Sequence, residues 1–404
     1  MVRTSYLGLF TYAAAALASE LHPHAVRAAA ATCTPTAGGS SNIDDTPAIV
    51  SAINACPSGT IVIPKGKTYY IGSQLQFTGC AGCTLQIDGT LQVTTNFTYW
   101  NGKGAIIMIK SIADATILSS TGGGVVDGAG QASWDYIVNN DTSYARPYLF
   151  QISGSTGVKM TNLTIRNAPS FHVVTNGNSK SIYYGNITLH SVSTSANVAH
   201  NTDGFDVGPA SYVTLENLHV TNDDDCVVLK PGASYIAARD ITCIGSHGLS
   251  VGSLGSGSGK NDTVTNSIFE RAVMNGATKA AGIKIYPGGP SHGTGTVVNV
   301  TWKDVVCQSC DYAIQIQQCY GDTTSYCTEY PSTGHISGVL FQNFTGTTSG
   351  NYKNTIANVD CPGNGTCGVQ ISGLTAKSPS GGSTVLCANT PSNLGVTCTS
   401  GASG

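Results

Sequence analysis

From about residue 105 onward, short apolar and β-branched runs recur along the chain: AIIMIKSI, YLFQISG, VKMTNLTIRN, SIYYGNITLHSV, YVTLENLHVTN, YIAARDITCIG, DTVTNSIFERAV, TVVNVTWKDVV and ISGVLFQNFTG. Each is followed by a polar or glycine-rich turn, commonly with Asn. The centres of NLTI, NITL, NLHV and DITC lie roughly two to three dozen residues apart, the period of a solenoid repeat. This pattern predicts an all-β fold, a right-handed parallel β-helix in which each coil lays its strands about 4.8 Å from those of the next and buries a continuous core. An antiparallel sandwich or propeller is the alternative. Upstream, GSSNIDDTPAIVSAINAC has a polar start and apolar residues at helical spacing, which predicts a short N-terminal helix capping the open end of the solenoid.

Composition agrees with this reading. The 404 residues include 49 glycines and only 10% charged side chains, which suits many short strands and tight turns in one domain. The start MVRTSYLGLFTYAAAALASE has Arg3, an apolar stretch and small residues up to Ala18, so 1–18 reads as a signal peptide. Residues 19–32 lack strand pattern and read as a pro-segment, leaving 33–404 as a single β-helix catalytic domain. No later segment has the run of about 20 apolar residues that a membrane span needs.

Fourteen cysteines behind such a start imply an oxidising, extracellular compartment in which all could pair. Sequence proximity points to Cys33–Cys56, Cys226–Cys243, Cys361–Cys367 and Cys387–Cys398. A metal reading of Cys80-Ala-Gly-Cys83 or Cys307-Gln-Ser-Cys310 is poor, because no histidine cluster accompanies either. Eight Asn-x-Ser/Thr sequons, among them those at Asn96, Asn162, Asn186, Asn299 and Asn364, fit a secreted glycoprotein. The formal net charge of −3 gives no basic field for nucleic acid, so an anionic ligand must be held by local cations.

Coil periodicity brings distant residues together. Asp203 in HNTDGFDVG, Asp224 in TNDDDCVVLK and His247 in GSHGLSVGSLG follow one another at about one coil each, and Lys284 in AAGIKIYPGG comes after a longer interval. Taken singly, an aspartate in a turn more often caps backbone amides than catalyses, a lone histidine is commonly structural, and Tyr320 could simply pack. Independent turn residues have no reason to fall in one column, and together these form a cluster of carboxylates with an imidazole and an ammonium.

The same segments resemble glycoside hydrolase family 28, the polygalacturonase-like pectin hydrolases. Here Asn201-Thr202-Asp203, Asp224-Asp225-Cys226, Gly245-Ser246-His247-Gly248 and Gly282-Ile283-Lys284 stand in the family's order. The resemblance implies Asp224 as general acid, Asp203 and Asp225 as the carboxylates that activate water, and His247 as a partner of the acid. It further implies Asn201, Lys284 and Tyr320 as substrate-binding residues, no cofactor and no metal. Asp223 falls outside the motif and reads as part of the turn. Carboxyls about 5 Å apart on adjacent coils suit retention by the separation rule, whereas the family inverts.

One position departs from the family pattern. Galacturonan-cleaving members carry Arg where this chain has Gly282, and glycine cannot replace a planar bidentate grip on a carboxylate. Either another cation substitutes or the site takes a bulkier sugar. The phrases KAAGIK and GSHGLSVGSLG are similar to those of the endo-xylogalacturonan hydrolase branch, although exo-acting polygalacturonases share the second. The implied function is a secreted, inverting, endo-acting hydrolase of xylose-substituted pectin, a monomer with no nucleic-acid or membrane partner. The alternatives are an endo- or exo-polygalacturonase of unsubstituted galacturonan, a calcium-dependent pectate-lyase-like eliminase, and a non-catalytic carbohydrate-binding solenoid.

Overall fold

In the computed structural model, residues 31–404 are described; the expected signal peptide 1–18 and most of the expected pro-segment 19–32 lie outside them. They form a parallel β-helix. One sheet of fifteen strands and a second of twelve run the length of the solenoid, and the strand pairs are parallel throughout. The coils begin earlier than the recurring segments indicate. Thr32–Cys33 pairs with Thr60–Ile63, and the compact unit starts at Ala31, two residues ahead of position 33.

Stacked apolar columns explain the coil period. In the twelve-stranded sheet Val173, Phe205, Val227, Leu249, Ala281, Ile314 and Ala357 are successive in-register partners, all buried. Deeper in the core the rings of Phe269, Trp302 and Phe341 stack with centroids 5.3 and 4.7 Å apart. Each such side chain is worth about 1.5–3 kcal/mol of burial, summed over every coil.

The asparagine-rich turns also have a conformational cause. Asn162, Asn186, Asn217, Asp240, Arg271, Asp304 and Asn343 occupy one corner in seven successive coils, each with φ between 52° and 58°. That left-handed backbone is tolerated best by Asn and Asp among the non-glycine residues. Their side chains then bond along the stack: Asn186 Nδ2 donates to Asn162 Oδ1 at 2.7 Å, and Asn343 Nδ2 to Asp304 Oδ1 at 2.8 Å.

The expected capping helix is Thr46–Ala55, which has Pro47 in its first turn and buries Ile49, Ala52 and Ile53 against the first strands. Three further short helices, Phe97–Trp100, Gly130–Asn139 and Thr324–Glu329, lie in the loops.

All four expected disulfides are present, joined by Cys80–Cys83 and Cys319–Cys327. Full pairing of the fourteen cysteines is corrected, since Cys307 and Cys310 are free. Both are buried at the end of strand Thr294–Cys310, and their thiols donate to the carbonyls of Thr347 and Met274 instead.

Candidate active site

The outward face of the twelve-stranded sheet carries a polar floor. Asp206, Val228, Ser250, Gly282 and Gln315 are in-register neighbours on it, in strands whose flanking residues enter the core. The turns entering these strands present Asp203, Asp224, Asp225 and His247.

Buried amides and carbonyls fix those turns. His172 donates from its backbone N and from Nδ1 to the carbonyl of Asp203, at 2.9 and 3.0 Å. Asn222 Nδ2 donates to the carbonyls of Thr202, Asp224 and Asp225 at 2.8–3.1 Å, strapping two coils together. His247 N donates to Asp224 O at 2.7 Å, and the Cys226–Cys243 disulfide secures the strand that follows. Asp223 contributes its backbone N to Thr202 Oγ1, consistent with a turn role.

One oxygen from each of Asp203, Asp224 and Asp225 lies within 4.8 Å of the others. Their environments differ sharply. Asp225 is 1% exposed: its Oδ1 accepts from Ser250 Oγ at 2.7 Å and its Oδ2 from Lys284 Nζ at 2.5 Å, with Lys279 Nζ 3.9 Å from Oδ1. Asp203 is 3% exposed beside the equally buried Asp206, and Lys230 Nζ lies 3.7 and 3.4 Å from them. Asp224 alone keeps a partly exposed side chain, 18%; it accepts from Asp225 N at 2.7 Å, His247 Nδ1 at 3.2 Å and, weakly, Asn201 Nδ2 at 3.4 Å.

These surroundings divide the protons unequally. Burial, reinforced by the charges of Asp206 and Asp224, raises Asp203 well above the carboxylate range, and burial also raises Asp206 against the pull of Lys230. Burial pushes Asp225 the same way, but the ammonium groups of Lys284, Lys279 and Lys230 outweigh it and hold the group ionised. For Asp224 the burial effect is overcome by the His247 hydrogen bond, and the carboxyl sits below its ordinary value. The resting cluster therefore stores its proton on the Asp203–Asp206 side. Carboxyls with opposed shifts a few ångströms apart are the arrangement acid–base catalysis uses.

The residues expected from the sequence thus converge, with one change in register. Lys284 does not occupy the column of the turn residues; it sits further along strand Lys279–Ile285 and reaches back to Asp225. Tyr320 lies under the Lys284 ammonium, 5.3 Å from nitrogen to ring centroid. The position nearest His247 is taken by Lys279, whose Nζ donates to the His247 carbonyl at 2.7 Å.

Lys279 also accounts for Gly282. A Cβ at 282 would meet Lys279 Cδ at 2.9 Å and the Gln315 carbonyl oxygen at 2.3 Å, so glycine leaves room for the lysine stem. Burial lowers Lys279 to about 8, and the group remains cationic in acid. The cation missing at 282 is thus matched by another, buried cation on the same strand. Asp206, Lys230, Ser250 and Lys279 were not read from the sequence. Asp206, outward-facing in a strand and three residues after Asp203, was the most accessible signal among them.

His172 makes the support under Asp203 sensitive to acid. It is fully buried, with Ser191 Oγ donating to Nε2 and Nδ1 donating to carbonyls, and desolvation lowers it to about 4. The unfolded chain binds this proton below about pH 6.5, so the stability His172 confers is complete above that pH and is lost as pH falls toward 4, by about 3 kcal/mol in all. His172→Gln should lose less stability than wild type over that window when melting temperatures are compared at pH 7 and 4.5. Parallel losses would refute the assignment.

The three carboxylates are also a donor set that a divalent cation could use. However, Lys284 and Lys279 already neutralise Asp225, so an ion would compete with two ammonium groups.

A parallel β-helix whose floor gathers one accessible carboxyl, three buried carboxyls and an imidazole defines a polysaccharide-cleaving glycoside hydrolase. The chain belongs to the glycosyl hydrolases family 28, whose sequence pattern matches residues 55–399. It is 46% identical over 387 residues to the endo-xylogalacturonan hydrolase A of Aspergillus tubingensis, covering 96% of this chain and 93% of that protein. A probable endo-xylogalacturonan hydrolase A of Aspergillus flavus is 47% identical, with 96% and 95% covered. The crystal structure of the A. tubingensis endo-xylogalacturonan hydrolase superimposes with a TM-score of 0.91 at 46% identity, over 93% of this chain and 100% of that one. A polygalacturonase from Erwinia carotovora shares the fold, with a TM-score of 0.72 at 21% identity and 90% and 96% covered.

Proposed function

We propose that this hydrolase is secreted as a monomer and cuts, from within, the galacturonan backbone of pectin bearing xylose. The observation that carries this reading is the floor at Gly282, where an arginine grip is replaced by a bare position backed by Lys279, in a chain 46% identical to a named xylogalacturonan hydrolase over nearly its whole length.

In this reading Asp224 protonates the departing glycosidic oxygen, because its carboxyl is the accessible member of the three. A covering polymer deepens its desolvation and adds uronate charge, and both raise its proton affinity. Asp203 and Asp225 activate the attacking water together: Asp225, held ionised by its lysines, accepts the water proton, and Asp203 orients the water. His247 holds Asp224 from the side and shares its proton. Asn201 and Tyr320 line the sugar path, and Lys284, beside both Asp225 and Tyr320, attracts a uronate carboxylate.

Products from xylogalacturonan and from unsubstituted polygalacturonate, compared at equal enzyme, test the substrate assignment. Faster release of larger oligomers from the xylosylated polymer is expected, without loss on adding a chelator and without ultraviolet-absorbing unsaturated ends. Faster cleavage of the bare polymer would favour a polygalacturonase, and chelator-sensitive unsaturated products would favour an eliminase.

A further inference from the structure

Four Lys and Arg side chains surround the carboxylates of the site. Lys230, Lys279 and Lys284 each lie within 4.0 Å of an aspartate oxygen; the fourth, Arg146, forms no such pair among the described residues. Its guanidinium is nevertheless held in place. Nη1 donates to the carbonyls of Pro169 at 2.9 Å and His200 at 2.6 Å, and Nη2 donates to Asn201 Oδ1 at 2.8 Å. Those bonds leave the Nε–H and one Nη2–H without a partner among the described residues, and a carboxylate can take two guanidinium N–H groups at once.

The placement is specific. Arg146 enters from the loop before strand Tyr148–Ser153, on the N-terminal side of the acid Asp224, whereas Lys284 lies on a strand to its C-terminal side. By accepting from Arg146, Asn201 Oδ1 turns its Nδ2 toward Asp224. A half-buried guanidinium without a counter-ion has lost hydration that an incoming carboxylate would replace.

We propose that Arg146 binds the carboxylate of the uronic-acid residue on the N-terminal side of the cleaved bond and so discriminates free-acid from esterified backbone. This rests on the pectin-hydrolase reading above. Every backbone sugar of a galacturonan carries a carboxylate, and Arg146 and Lys284 then receive those on either side of Asp224.

The test measures kcat and KM of wild type, Arg146→Gln and Arg146→Lys on xylogalacturonan with free carboxylates and on the same polymer methyl-esterified, with melting curves for each protein. Wild type should prefer the free acid. Arg146→Gln should raise KM for the free acid by about ten- to hundredfold more than KM for the ester, the range of a charge-assisted hydrogen bond, so that the preference collapses. Arg146→Lys should keep part of the preference.

An equal loss on both polymers would make Arg146 a positioning residue for Asn201 and overturn the proposal, as would an undiminished preference in Arg146→Gln. If Arg146→Gln does not fold, Arg146→Lys decides: a lysine enzyme with the wild-type acid-to-ester ratio and KM overturns it. A wild-type enzyme that cuts both polymers but is indifferent to esterification overturns the proposal alone, whereas one that cuts neither polymer defeats the underlying pectin reading.

Discussion

Asp224→Asn should lower kcat on xylogalacturonan by about 10²–10⁴-fold, the contribution of a general acid, while melting temperature and KM stay near wild type. The geometry gives each part of that result. An amide of the same shape still accepts from Asp225 N and His247 Nδ1, so the turn keeps its bonds. The side chain is partly exposed and forms no ammonium pair among the described residues, so removing its charge strands no buried cation there. What disappears is the proton that, in the proposed mechanism, the leaving oxygen takes. Near-normal turnover by a folded Asp224→Asn enzyme would remove Asp224 from the role and return attention to Asp203, the carboxyl with the raised proton affinity.

Lys284→Met should act on stability as well as on turnover, which separates it from Asp224. Its loss leaves Asp225, fully buried, with Ser250 and the more distant Lys279 as remaining partners. Breaking a buried pair from one side costs about 3 kcal/mol, because the surviving charge is left uncompensated. Activity should fall at least about tenfold, since the proposed water-activating carboxylate and the proposed uronate grip are disturbed together.

The sign with pH follows from Asp225. Its folded-state affinity for protons is depressed, so its stabilisation is present above the unfolded value near 3.8 and is lost as pH falls below it. The deficit of Lys284→Met should therefore be largest above about pH 4 and narrow in stronger acid. Adding Asp225→Asn to Lys284→Met should recover stability relative to the single variant, because the stranded charge is gone. Strict additivity in denaturant titrations at pH 6 would show that the two groups are not coupled.

Much of this molecule was legible from local chemistry. The solenoid followed from β-branched runs and asparagine turns because each coil repeats the same requirements: an apolar inward face and a corner with positive φ. Asp203, Asp224, Asp225 and His247 were legible because they sit in turns at one-coil spacing. Lys279 was not, since in KAAGIK it looks like a solvated strand residue, and only the three-dimensional path of its stem over Gly282 shows that it is buried.

Arg146 was hidden for a related reason. It acts at Asn201, more than one coil later, through a loop whose length no repeat dictates. Helix Gly130–Asn139 was missed because it starts after a left-handed Ala129 with no side-chain cap, and so carries none of the usual start signals. The free thiols of Cys307 and Cys310 depended on which carbonyls the core offered them.

Carboxylate oxygens within 4.8 Å would, by spacing alone, suit a retaining enzyme with a covalent intermediate. With Asp224 proposed as the acid, burial of the other two argues against it. Asp225 has each oxygen engaged, by Ser250 and Lys284, and Asp203 is almost wholly enclosed beside Asp206 and Lys230, so neither is free to bond an anomeric carbon. Both can act on the sugar only through a water molecule, and attack by water in a single displacement inverts the centre. The direct measurement is proton NMR of xylogalacturonan during the first minutes of hydrolysis by the wild-type enzyme, before the new reducing ends equilibrate. The first-formed anomer should have the configuration opposite to that of the bond cut; initial appearance of the same configuration would contradict the assignment of Asp203 and Asp225 as activators of water.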